Sequence, residues 1–255
     1  MNRFIWVLLS FCFAIAAWQA LVSLTGVPHF ILPAPKQVLD TLIKSRELIA
    51  WHAVVTISEV LIGLLLGAFL GALTALHLMV SATSRRLLMP ILVFSQAIPV
   101  FALAPVLTLW LGYGIWSKVF MAVLITYFPV ASNFLDGLRR TDRGYLDLAT
   151  TMKAGRWQTL LQIRLPAALP SLASGLKLAA VYAPIGAIIG EWVGASDGLG
   201  YLMLLANGRA KIDLMFASLF VLASFTVILH SLVSLFANWL TRRAKGETKE
   251  LLEKA

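Results

Sequence analysis

Few residues in this chain have the type and spacing that chemistry requires. The four histidines, His29, His52, His77 and His230, fall on separate stretches with no metal-ligand spacing. Cys12 is the single cysteine and lies inside an apolar run, so no internal disulfide can form. No Gly-x4-Gly-Lys-Ser/Thr phosphate loop is present, and nothing suggests a nucleophile beside a base. This reads as a non-catalytic chain with no cofactor of its own. The charges worth weighing lie within or between apolar runs. Glu59 and Lys177 each cost several kcal/mol if stranded in lipid. Lys177 is expected to snorkel to the headgroups, and Glu59 to make a polar packing or pore contact. Glu191 and Asp197 read as part of a glycine-rich outer loop, as ordinary solvated charges.

The elements that hold these residues are set by composition. Of 255 residues, 60% are hydrophobic and 13% charged, against roughly 45–50% and about 25% in a soluble domain. So little polar surface cannot wrap a water-soluble globule, and lipid is the solvent that suits the excess. The net charge of +9 does not mark a nucleic-acid partner, because the cations sit in short loops between apolar runs.

Helix-length apolar runs lie near 4–25, 53–80, 88–111, 115–136, 170–190 and 213–240. They are continuous rather than alternating, which favours helices over a barrel. The expected fold is all-α, one transmembrane domain over 1–255 with about six spanning helices. The first run is longer than a signal-peptide core and is read as an uncleaved helix. Within 35–50, Val38, Leu39, Leu42, Ile43 and Ile49 recur at helical spacing among charges, the pattern of an amphipathic helix on the membrane surface. Residues 241–255 form a charged tail.

Small residues and prolines mark the helices further. Gly63, Gly67 and Gly71 make a ridge against which a neighbouring helix can pack closely. Pro90, Pro99 and Pro105, with Gln96 among them, predict a kinked helix lining a cavity. Gln96, Pro99, Glu191 and Trp192 are therefore the candidate translocation-pathway residues. Cations set the orientation. Arg3, Arg85, Arg86, the 139–164 loop and Arg242, Arg243 and Lys245 outnumber Lys36, Lys44, Arg46, Lys118, Arg209 and Lys211 on the other side. The first group is expected to face the cytoplasm, together with both termini.

The long inner loop, 139–166, carries the most information. From Asp147 to Pro166 it reads as a cytoplasmic helix–turn–helix, with Leu148, Met152, Leu160, Leu161 and Ile163 apolar and Lys153, Arg156 and Arg164 charged. Gly155 offers the turn, and Pro166 is expected to stop the second helix. Held against the membrane, the apolar side must be covered by a soluble partner or by the loop itself.

This stretch resembles the EAA loop of bacterial ABC importer permeases, in which an acidic residue, small residues, a turn glycine and a downstream Ile-x-Leu-Pro dock into an ATPase. Asp147 stands for the usual glutamate, Ala149 keeps a small position, and Ile163, Leu165 and Pro166 match. Lys153 occupies the glycine position, and Gly155 follows two residues on. A left-handed lysine costs about 1 kcal/mol, so either Lys153 bears that strain or the turn has moved to Gly155, the reading preferred here. Further resemblance to the nitrate/sulfonate/taurine group of these permeases lies in Ile31-Leu32-Pro33-Ala34-Pro35, in 96–105 and in Trp110-Leu111-Gly112-Tyr113-Gly114. The segment 190–203 resembles permeases assigned to hydroxymethylpyrimidine, the thiamine precursor.

The resemblance implies a permease of the bacterial inner membrane that imports a small solute by alternating access. Its implied partners are a second copy of the chain, a solute-binding protein outside, and a cytoplasmic ATPase that binds ATP and magnesium. Asp147, Ala149, Lys153, Gly155, Arg156, Ile163, Leu165 and Pro166 are the implied coupling residues. A thiamine-precursor pyrimidine is the first solute expected, with sulfonate, taurine or nitrate as the alternative. An ion-coupled secondary transporter is the rival class; no internal repeat and no paired intramembrane acids are visible to support it.

Overall fold

The computed structural model describes residues 3–253; among them the side chains of Arg3, Phe4, Val7, Leu8 and all from 243 onward lie outside the description. The topology argument from Arg3, Arg243 and Lys245, and most of the 241–255 tail, therefore rests on residues outside the described side chains. The described chain is helical throughout, with no strand: α1 (Arg3–Thr25), α2 (Pro35–Lys44), α3 (Arg46–Val80), α4 (Ala82–Ala97), α5 (Val100–Leu111), α6 (Ile115–Arg139), α7 (Arg143–Thr151), α8 (Arg156–Gln158), a π-helical turn (Thr159–Arg164), α9 (Leu165–Gly194), α10 (Leu199–Gly208) and α11 (Ile212–Glu253).

Four described segments are long and apolar enough to cross a membrane by themselves: Arg46–Val80, Ile115–Arg139, Arg156–Gly194 and Ile212–Arg242. The pair α4 and α5 is a fifth candidate, and α1 supplies a further apolar helix. This is the all-α membrane architecture of about six spans that the hydropathy pattern predicts.

The centre is built from α3, α6 and α9. A Cβ on Gly63 or Gly67 would collide with Ala122 or Thr126, and one on Gly71 would lie 2.7 Å from Tyr127 O, all on α6. The glycine ridge thus seats α3 directly on α6. From the other side, a Cβ on Gly175 would come within 2.8 Å of Pro129 O, and one on Gly186 within 2.7 Å of Ala122 Cα. Backbone-to-backbone contact of this kind replaces the hydrophobic drive that lipid cannot supply. Val60, Leu64, Val130, Ala179, Ala180 and Ala183 fill the remaining space. Lys177 does not end at the headgroups alone: its Nζ donates to Asn238 Oδ1 at 2.9 Å and ties α9 to α11.

Several sequence-based boundaries need correction. The amphipathic segment ends at Lys44, not at 50; α3 begins at Arg46 and runs 35 residues, about 52 Å of helix. The third run is not one kinked helix. α4 and α5 meet at 100°, because Ile98 (φ −79°, ψ 121°) and Pro99 (φ −60°, ψ 115°) are both extended. A residue before proline is pushed out of the α region, and here the next one follows it. Pro166 does not stop a helix, since Arg156–Gly194 is continuous. Immediately upstream, Leu165 N–H donates to Leu160 O across a π turn, and the proline falls in the first turn of α9, where its missing N–H costs little.

Candidate functional site

The 139–166 loop forms two short helical pieces joined by a tight turn. α7 is capped by Asp142, whose Oδ1 accepts from Gly144 N–H at 2.7 Å. It ends where Lys153 N–H donates to Thr150 O (3.0 Å) and Ala154 N–H to Ala149 O (2.9 Å). This paired closure needs a left-handed residue between them, and Lys153 supplies it with φ +54°. Gly155 lies at φ −66°, ψ 160°, and a Cβ there would meet only Gln158 Oε1 at 3.8 Å. The expected migration of the turn to Gly155 is therefore wrong. Lysine occupies the strained position because the two hydrogen bonds closing α7 outweigh about 1 kcal/mol of backbone cost. Lys153→Gly is expected to raise stability by up to about 1 kcal/mol, read as a higher unfolding midpoint, while Gly155→Ala leaves the midpoint unchanged.

The remaining loop residues divide by exposure. Leu148 (57% exposed), Met152 (73%), Tyr145 and Trp157 present large apolar surfaces to the outside of the chain. Asp147, Lys153 and Arg156 are exposed beside them. Ala149 is 3% exposed and faces inward. Its small size suits the close approach of α7 to the π turn, so Ala149→Arg would disrupt that packing before it tested any partner. Ile163, Leu165 and Pro166 are half-buried where the loop enters α9. Leu160, Ala168, Leu135, Leu138 and Leu78 form the cluster that anchors the loop to α3 and α6.

The four pathway candidates are not gathered. Gln96 and Pro99 are exposed at the α4–α5 break. Trp192 is exposed on α9, whereas Glu191, one residue before it, is 1% exposed. Glu191 belongs to helix α9, not to a solvated loop. The Thr56 hydroxyl donates to its Oε1 at 2.6 Å, and Gly200 N–H donates to its Oε2. Leu199 N–H donates to Thr56 Oγ1 (2.7 Å) and Gly198 N–H to His52 Nδ1 (3.0 Å). Three side chains from α3 and α9 thus satisfy the free N–H groups that begin α10, whose own cap residue is a glycine at φ +109°. Because His52 Nδ1 accepts there, its 4.0 Å approach to Asp197 is not an ion pair; Asp197 instead accepts from Trp51 Nε1 at 3.2 Å.

Lys118 completes this cluster. Buried at the start of α6, its Nζ donates to Tyr113 O, to Gly114 O (2.9 Å) and to Gly194 O (2.7 Å). Glu59 and Glu191 lie side by side near it. The sequence therefore does contain a pair of intramembrane acids, brought together by folding and accompanied by a cation. All are enclosed, so the cluster is built to hold helix ends together, and Glu191 is not the solvated charge its glycine-rich surroundings suggest.

Residues 60–246 match the family described as binding-protein-dependent transport system inner membrane component. A probable ABC transporter permease protein of Haemophilus influenzae is 50% identical over 226 residues, 89% of this chain and 91% of that one. The formylaminopyrimidine transport permease protein ThiX of Halalkalibacterium halodurans is 39% identical, covering 86% of this chain and 88% of its own length. A solved structure of the MetNI methionine ABC transporter, inward facing, superposes with a TM-score of 0.62 over 74% of this chain and 93% of that one, at 20% identity.

Proposed function

The chain belongs to the family of binding-protein-dependent transport system inner membrane components, the permease subunits of ABC transporters, and from that premise we propose that it imports a pyrimidine of the thiamine-precursor class. The observation that carries the mechanical half of this reading is the exposed apolar surface of the inner loop, Tyr145, Leu148, Met152 and Trp157. Four large apolar side chains on a charged, membrane-proximal loop need a cover, and a cytoplasmic ATPase holding ATP and magnesium provides one. Asp147, Lys153 and Arg156 form the polar rim of that contact. Closure of the ATPases would move the loop, and with it α9, to which the loop is joined by continuous helix. A second copy of the chain encloses the pathway, and a solute-binding protein delivers the solute from outside.

The solute half of the reading rests on the 39% identity to a formylaminopyrimidine permease. A strain unable to make the pyrimidine moiety of thiamine is expected to grow on hydroxymethylpyrimidine or formylaminopyrimidine only when the permease is present. Growth without it, together with permease-dependent use of taurine or an alkanesulfonate as sulfur source, would replace the pyrimidine by a sulfonate and leave the importer standing.

The loop is proposed to lie in the cytoplasm with both termini. Reporters fused after Arg86 and Arg164 are expected to read cytoplasmic, and those after Pro35 and Asn207 external. The opposite pattern would invert the chain and remove the loop from reach of any ATPase.

A further inference from the structure

The end of the bundle that carries the coupling loop gathers four arginines. Arg85 and Arg86 are the fourth and fifth residues of α4; Arg156 opens α8 and Arg164 ends the π turn. Among the described residues, none has a carboxylate within ion-pair distance. Arg85 donates to Leu78 O at 3.1 Å and Arg164 to Leu138 O at 3.0 Å, the carbonyl ends of α3 and α6. Each keeps further N–H groups free. These two guanidinium groups are close enough to repel each other. Arg156 lies 5.9 Å over its neighbour Trp157, and Arg86 makes no polar contact among the described residues.

Two hollows adjoin these charges. A cavity of about 240 Å³ lies between Met79, Val80 and Leu160 on one side and Arg156, Trp157 and Arg164 on the other. A shallow groove of about 690 Å³ begins at Arg85 and Arg86 and continues along α4 over Met89, Pro90, Val93 and Phe94. Its lining changes from cationic to apolar in about two helical turns, roughly 11 Å.

We infer that this groove holds an acidic phospholipid, with its phosphodiester at Arg85 and Arg86 and one acyl chain along Met89, Val93 and Phe94. Like charges packed together without a counter-anion repel, and an anion between them relieves that repulsion. At the rim of a membrane helix the abundant anion is the lipid phosphate. A free phosphate would use the charged end and leave the apolar floor bare. A second copy of the chain would bring a similar set of cations to a surface that already has too many.

The full chain, purified in a neutral detergent, is placed in lipid discs of phosphatidylcholine alone or with phosphatidylglycerol added. Retained lipid is read by native mass spectrometry, and stability by the unfolding midpoint. Phosphatidylglycerol is expected to be retained about 25-fold more tightly than phosphatidylcholine, at about fivefold for each of the two groove arginines, and to raise the midpoint. R86Q breaks no polar contact and should lower that preference about fivefold, with R85Q/R86Q lowering it further. Equal retention of the two lipids overturns the assignment, as does an unaltered preference in R86Q. Equal stabilisation by millimolar inorganic phosphate would make this an anion site without a lipid. Displacement of the lipid when two copies are cross-linked through Val93 would make the groove a chain–chain contact. None of these results depends on the solute or on the ATPase.

Discussion

Replacing Leu148 and Met152 together by aspartate is expected to abolish transport while leaving the permease inserted and folded. Both side chains lie outside the core, at 57% and 73% exposure, so the change removes little of the chain's own packing. They project from the end of α7, where the closure around Lys153 fixes their direction. Truncating one well-buried anchor of an interface costs about 2–4 kcal/mol, and a carboxylate placed there adds a desolvation cost. If the loop docks the ATPase as proposed, two such changes weaken that contact by at least about a thousandfold. Co-purified ATPase should fall to background, and solute uptake with it, at normal membrane levels of the permease. An ATPase that stays bound to the double variant would show that it grips some other surface.

The second large effect concerns Lys118. Lys118→Met keeps the length of the side chain but removes the donor to Tyr113 O, Gly114 O and Gly194 O. Those carbonyls belong to the α5–α6 turn and the end of α9, and the buried pair Glu59 and Glu191 loses its neighbouring cation. Leaving buried polar groups without partners costs about 1–3 kcal/mol each, and breaking up a buried charge set about 3–5 kcal/mol. Loss of about 3 kcal/mol or more is expected, read as a sharp drop in the unfolding midpoint. Combining Lys118→Met with Glu59→Gln should destabilise less than the sum of the two single changes, because removing one acid relieves the other. Simple additivity would mean that Lys118 acts through its three carbonyls alone.

The contrast between loop and cluster shows what a sequence discloses. Apolar runs, the Gly63-Gly67-Gly71 ridge and the 147–166 pattern are local, with periods shorter than a few turns, and they are legible. Thr56 and Glu191 meet across 135 positions, and Lys118 reaches Gly194 across 76; no local pattern carries such pairings. α10 escaped notice because ten residues between glycines resemble a loop more than a span. Its start is held by side chains from other helices, and its end by Ala210 at φ +54°, a residue that gives no turn signal. The α4–α5 break was half visible. Prolines announced an interruption, but whether a helix bends or turns through 100° depends on the neighbours that receive the second piece. Lys153 misled for a different reason: residue type suggested that the turn should follow the glycine, whereas the hydrogen bonds closing α7 decided its place.

The glycine-seated contacts of α3, α6 and α9 have a mechanical consequence. Where backbones come this close, with Gly63 and Gly186 against Ala122 and Gly175 against Pro129 O, few side chains intervene to shear or re-pack. The three helices are therefore expected to travel as one block. Any stroke delivered to the inner loop passes through the continuous helix Arg156–Gly194 into that block, which acts as a stiff lever. Compliance is left to the joints: the extended pair Ile98-Pro99 between α4 and α5, and the π turn Thr159–Arg164 at the lever's foot. Stiffening either joint would therefore change how far the lever swings for each stroke, without altering what drives it.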